Sequence, residues 1–147
     1  MNRDPNGLEG QVPTILVVDE EAVIRGLIRV ILEGAGYQVM EAGTGEAGFE
    51  LAQRGAVDAL VLDCMGLRSD GLTTLRRLRG TATTAHLPVV ALCGLGQAGA
   101  EVGLWANGLV VKPFRPAQLL LKVEMVMNSR VQTSTQAPRQ PEVPLPC

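Results

Sequence analysis

Two rhythms of apolar residues alternate along this chain. The run from Thr14 to Val18, TILVV, is continuous and strand-length, as expected of a strand covered on both faces. Val23, Ile24, Leu27, Ile28, Ile31 and Leu32 then recur at helical spacing, and Gly34 and Gly36 stop that helix. A short strand is predicted over Tyr37 to Glu41. Thr44 is placed to cap a helix reaching about Arg54, with Glu46 and Glu50 in its early turns.

The pattern repeats. A third apolar run covers Asp58 to Leu62, and Gly71 to Arg79 reads as a helix with Leu72, Leu75 and Leu78 inward. A fourth strand spans Leu87 to Leu92, with Pro88 at its start, where no ladder donor is required. Gln97 to Trp105 is a weak helix interrupted by glycine, with Trp105 packing it onto the sheet. Leu109 to Val111 is a fifth strand, and Ala117 to Met127 a last helix with Leu120, Val123 and Met127 inward. Five strands alternating with five helices predict an α/β fold: a five-stranded parallel sheet, doubly wound, with right-handed crossovers.

Composition sets the limits of this unit. The folded domain is expected over residues 13–128. Residues 1–12 are polar and read as a flexible segment, and 129–147 as a disordered tail rich in Pro, Gln, Ser and Thr, or the start of a linker. Aromatics are only 3% of the chain, so the core must come from Val, Leu, Ile and Ala. No apolar run approaches the ~20 residues of a membrane span, and no signal peptide is evident at Met1. Cys64, Cys93 and Cys147 lack metal-like spacing, which with their odd number reads as a reduced, cytoplasmic protein. A net charge of −2 argues against non-specific binding of nucleic acid. The basic run Arg76, Arg77 and Arg79 reads as a solvated face, and His86 as a surface residue.

Candidate chemistry lies just beyond the strands, because open parallel sheets bind ligands at the carboxyl ends of their strands. Asp19, Glu20 and Glu21 follow the first strand, Asp63 the third, Cys93 and Gly94 the fourth, and Lys112-Pro113-Phe114 the fifth. Each alone is weak: acidic residues at a helix start are ordinary dipole partners. Together the carboxylates repel, and a hard divalent cation such as Mg²⁺ resolves that repulsion with oxygen ligands. A lysine on the same edge would balance the charge of an incoming phosphoryl group.

The segments Ile15 to Glu21 (ILVVDEE), Leu60 to Met65 (LVLDCM) with Asp70-Gly71-Leu72, and Val110 to Phe114 (VVKPF) resemble the response-regulator receiver domain of two-component phosphorelay signalling. The resemblance covers roughly residues 13–128 and implies a flavodoxin-like sheet. It implies that Asp63 is the phosphoacceptor and that Asp19, Glu20, Asp63 and the backbone carbonyl of Met65 hold Mg²⁺. Lys112 would pair with Asp63 and the phosphoryl group, and the Lys112-Pro113 bond would be cis. A sensor histidine kinase or phosphotransfer protein would be the donor, and a downstream protein the reader. The chain would be a self-modifying signalling domain rather than an enzyme, a monomer or weak homodimer with no direct contact to nucleic acid or membrane.

The chain departs from the family at informative places. Glu20 stands where Asp is usual, and Mg²⁺ tolerates displaced ligands badly. Cys93 stands at the switch position, where the family has a Thr or Ser hydroxyl. A thiol is a weak donor, and losing a hydrogen bond to a charged group, worth about 1.5–3 kcal/mol, weakens a population shift about tenfold or more. Leu109 replaces the aromatic switch residue. The stretch from Cys93 to Lys112 is short and rich in glycine, and Leu67 replaces a proline. The alternative reading is a phosphorylation-independent pseudo-receiver acting as a protein–protein interaction module. A flavodoxin-type cofactor site is disfavoured by the acidic Asp19-Glu20-Glu21 turn, and a phosphatase of the haloacid-dehalogenase type by Met65. A redox pair of Cys64 and Cys93 is weighed below two space-filling thiols.

Overall fold

The structure of the chain, a computed structural model, describes residues 12–65, 70–94 and 99–133. Its elements alternate strictly: β1 (Thr14–Val18), α1 (Ala22–Gly34), β2 (Gln38–Ala42), α2 (Gly45–Gln53), β3 (Ala59–Asp63), α3 (Gly71–Arg79), β4 (Val89–Cys93), α4 (Gly99–Trp105), β5 (Gly108–Val111) and α5 (Pro116–Thr133). The strands form one parallel sheet in the order β2-β1-β3-β4-β5. The order reverses beside β1, so β1 and β3 lie next to each other at the switch point where such sheets open a crevice.

The continuous apolar runs follow from that geometry. Successive side chains of a strand point to opposite faces, and both faces are covered. Leu16, Leu60, Leu62, Val89 and Ala91 pack with Phe49, Leu75, Leu78 and Val102, under α2, α3 and α4. Ile15, Val17, Val61, Val90 and Leu92 face the other way, onto Ile28 and Leu32 of α1 and Leu119 and Val123 of α5. Trp105 joins the first cluster, closing α4 against the sheet.

Local signals behave as their chemistry requires. Thr44 accepts a hydrogen bond from the Ala47 amide at 3.1 Å and caps α2. Gly36 ends α1 with φ +98°, a conformation costly for any residue with a Cβ. Asp58 closes the amino edge of the sheet: its Oδ2 accepts from the Thr14 amide and its own amide donates to Thr14 O, both at 2.8 Å.

Three expectations change. The buried stripe of α5 is Leu119, Val123 and Val126, while Leu120 and Met127 are only partly buried. One residue along a helix turns the face by about 100°, and docking against β4 and β5 decides which face is chosen. The helix also continues to Thr133, past the expected boundary at Asn128. Arg79 is half-buried rather than free on a solvated face: it donates to the carbonyl oxygens of Trp105, Ala85 and Leu87 and to Asn107 Oδ1. Arg76 pairs with Glu101 of α4, and the Arg77 guanidinium lies 4.0 Å from the Phe49 ring centroid. His86 is exposed. Leu67, Gln97, the segment 1–11 and the tail from 134, including Cys147, lie outside the described residues. Among the described residues no helix is long and apolar enough to cross a membrane.

Candidate functional site

The carboxyl ends of β1 and β3 are adjacent, and the loop after β5 reaches over them. Asp19 follows directly on β1. Its side chain is fully buried, with Oδ1 accepting from the Glu21 amide at 2.9 Å. Its own amide donates to Ala42 O, and its carbonyl oxygen accepts from Arg25. Asp63 ends β3 and is one-tenth exposed, with Oδ1 accepting from the Met65 amide at 3.1 Å. That i to i+2 bond is an Asx turn, a reason for Asp at a strand end. The Lys112 ammonium lies 3.0 Å from Asp19 Oδ2 and 3.4 Å from Asp63 Oδ1. The Lys112-Pro113 peptide bond is cis.

A cleft of about 130 Å³ opens here, lined by Val18, Asp19, Glu20, Gly43, Thr44, Gly45, Asp63 and Asp70. Four of these carry carboxylates, and Glu20 sits exposed at the lip. Asp70 was legible only as part of a matching segment. As the N-cap of α3 its side chain makes no capping bond. Its oxygens press against Gly45 instead, where a Cβ would meet both at 2.7 Å. Gly71 packs so closely that a Cβ would fall 2.2 Å from the carbonyl oxygen of Asp63.

The electrostatics record unbalanced negative charge. Burial and then the neighbouring Asp19 push the Asp63 carboxyl above the usual carboxylate range, and Lys112 and the Met65 amide offset this only in part. For Lys112, burial works against the ammonium, but the Asp19 hydrogen bond and the charges of Asp63 and Asp19 outweigh it, so its pKa is raised. Lys112 therefore stays charged, and one ammonium does not neutralise the cleft.

That imbalance, with an all-oxygen donor set, fits a hard divalent cation. Among the described residues no three carboxylate, thiol or imidazole groups converge at ligand spacing. Asp19 and Asp63 are drawn to the ammonium instead. Met65 is adjacent and partly exposed.

Cys93, the last residue of β4, is buried, and its thiol points toward Val110 O at 3.8 Å. Burial pushes its pKa up. Cys64 is pushed up to about 12, by burial first and then by Asp63, Cys93 and Asp70. Leu109 is half-buried against the cluster under α4.

Residues 15–124 match the family model of the response regulator receiver domain. Among curated proteins, the chain is 33% identical over 135 residues to the DNA-binding dual master transcriptional regulator RpaA of Synechocystis, covering 90% of this chain and 56% of that protein. It is 33% identical over 130 residues to the phosphate regulon transcriptional regulatory protein PhoB of Pseudomonas aeruginosa, covering 85% and 56%. The chain thus spans a little over half the length of these relatives. Among solved structures, it superposes on the receiver domain of a Pseudomonas aeruginosa sensor histidine kinase, described with a magnesium ion coordinated in its active site cleft. There the TM-score is 0.73 at 26% identity, over 80% of this chain and 99% of that one. A response regulator receiver protein of Sinorhizobium medicae gives a TM-score of 0.72 at 28% identity, over 82% and 98%.

Proposed function

The chain belongs to the response-regulator receiver family, and from that premise we propose that it accepts a phosphoryl group on Asp63 and transmits the event to a protein partner. The observation that carries this reading is one ammonium, Lys112, held against two carboxylates, Asp19 and Asp63, that come from the ends of neighbouring strands. A structural ion pair needs one carboxylate. Burial, and then a second like charge beside it, raise the pKa of Asp63, a cost that a signalling site accounts for.

The step is an in-line displacement. A carboxylate oxygen of Asp63 forms the new O–P bond, the P–N bond of a phosphohistidine breaks, and its electron pair leaves on the imidazole nitrogen. Phosphoryl transfer needs little covalent help, so positioning and charge carry it. Asp63 must be ionised to attack. Lys112 is placed to exchange part of its contact with Asp63 for one with a phosphoryl oxygen. Asp19 and Glu20, with Asp63 and the Met65 carbonyl, would hold Mg²⁺, which supplies positive charge against carboxylate and phosphoryl oxygens when bound. The magnesium described in the related kinase receiver supports this choice.

The donor would be a sensor histidine kinase or a phosphotransfer protein. The relatives RpaA and PhoB are transcriptional regulators by name; for this chain the reader is proposed to be a protein, and the action cytoplasmic. Transmission would be atypical. Cys93 has its thiol turned toward Val110 O rather than presenting a hydroxyl to Asp63, and Leu109 brings no aromatic ring. The same observation favours, as the second reading, a pseudo-receiver whose partner surface works without phosphate.

Intact-mass spectrometry after incubation with acetyl phosphate, with and without Mg²⁺, separates the two. A Mg²⁺-dependent gain of one phosphoryl mass, lost in Asp63→Ala, is expected. No adduct under conditions that modify an ordinary receiver would sink the first reading and leave the pseudo-receiver.

A further inference from the structure

Arg25 is the first-turn arginine of α1, four residues beyond Glu21. Its Nη1 donates to the carbonyl oxygen of Asp19 at 2.7 Å, and its Nε donates to Glu41 Oε1 at 2.9 Å. Glu41 sits in β2, and its other oxygen lies 3.1 Å from Arg29 Nε. Gly43, which lines the cleft, stands so near that a Cβ there would be 3.4 Å from Arg25 Nη1. The guanidinium thus joins the turn after β1 to the strand entering the β2–α2 loop, beneath two walls of the cleft. Its side chain is one-fifth exposed, so these charge-assisted bonds are largely shielded from water.

The acceptor matters. The carbonyl oxygen of Asp19 belongs to the peptide plane that joins Asp19 to Glu20, and that plane is rigid. Holding the oxygen sets the rotation of the plane, and with it the direction in which the Cα–Cβ bond of Glu20 leaves the backbone. The Asp19 carboxylate is already held by the Glu21 amide and Lys112. Glu20, longer by a methylene than the usual Asp and exposed at the lip, depends most on where its backbone points.

We infer that Arg25 is a positioning residue for the cation site, acting through the Asp19–Glu20 peptide to aim the Glu20 carboxylate into the cleft. This rests on the reading that Asp19, Glu20 and Asp63 hold Mg²⁺. The sign of the effect is diagnostic. If Arg25 mattered only as a nearby positive charge, removing it would tighten cation binding; as an aiming device, removing it loosens binding.

The test is Mg²⁺ titration of the whole chain, by calorimetry or amide chemical shifts. The variants are Arg25→Ala, Arg25→Lys, Glu20→Ala and each Arg25 variant combined with Glu20→Ala. Arg25→Ala should weaken Mg²⁺ about tenfold, as loss of an outer-shell partner does. Arg25→Lys keeps the charge but cannot bridge both acceptors, so it should fall between and keeps the test open if the alanine variant does not fold. In the Glu20→Ala background, neither Arg25 change should weaken binding further. Unchanged or tighter Mg²⁺ binding in Arg25→Ala, or losses additive with Glu20→Ala, would each overturn the inference alone. A wild-type chain that binds no Mg²⁺ would remove the metal reading and this inference with it.

Discussion

Alanine in place of Gly71 is the sharpest probe of how α3 meets the site, because local and tertiary arguments predict opposite signs. Gly71 is the first residue of α3, and Ala is the better helix former by about 1 kcal/mol. Local propensity alone therefore predicts a gain. In the fold, a Cβ at this position would lie 2.2 Å from Asp63 O, 2.9 Å from Asp63 C and 2.8 Å from Cys64 Cα, against ordinary contact from about 3.4 Å. All three obstructing atoms are backbone, so no rotamer relieves the overlap of more than 1 Å. Overpacking of this kind costs roughly 1–3 kcal/mol, and immovable neighbours place it at the upper end. Net of propensity, a loss of about 2 kcal/mol is expected. Gly26, inside α1, is the control: a Cβ there would have nothing within 4 Å, so Gly26→Ala should gain about 1 kcal/mol. Urea unfolding of the wild type and both variants, at constant m-value, measures this. A loss of about 2 kcal/mol lowers the midpoint by roughly 1 M. Because the clash is with the Asp63 backbone, Gly71→Ala should also slow acyl-phosphate formation under conditions where it is folded. A Gly71→Ala chain at least as stable as the wild type would refute the close seating of α3 on Asp63.

Three further outcomes are expected. In metal-free protein, the Asp63 carboxyl should titrate above the ordinary carboxylate range, lower in Asp19→Asn and higher in Lys112→Ala, followed by carbonyl-carbon NMR. Since the folded state then binds that proton more tightly than the unfolded chain, Asp63 costs stability as pH rises through its folded pKa, and Asp63→Asn should flatten that part of the stability profile. Thr44→Ala removes the cap of α2 and should cost about 1 kcal/mol in the same unfolding assay. With Cys147 replaced by Ser, Cys64 and Cys93 should resist iodoacetamide at pH 8 until the chain is unfolded. Cys64, pushed up to about 12, stays almost wholly neutral there, and rapid labelling of the folded protein would contradict its partial burial.

What could be read along the chain was what depends on near neighbours. Continuous apolar runs marked β1, β3 and β4, because a strand covered on both faces has no polar side to show. Gly36 and Thr44 announced their roles through backbone freedom and a capping hydroxyl, both decided within a few residues. Asp19, Asp63 and Lys112 were legible as candidates because parallel sheets gather strand ends at one edge. Their contacts were not: β1 and β3 are neighbours in the order β2-β1-β3-β4-β5, which brings Asp19 beside Asp63, and Lys112, 93 residues from Asp19, comes within 3.0 Å of it only because the segment after β5 reaches back across the ends of β4 and β3. Arg79 and Arg25 carried no local sign of their partners. An arginine four residues into a helix or in a basic run looks like a surface charge until another segment brings carbonyl oxygens to it. The face that α5 buries, through Leu119 rather than Leu120, was equally open to periodicity alone. Local chemistry determined which elements form and which residues could react. Packing between distant segments decided which side chains meet, at what distance and with what charge.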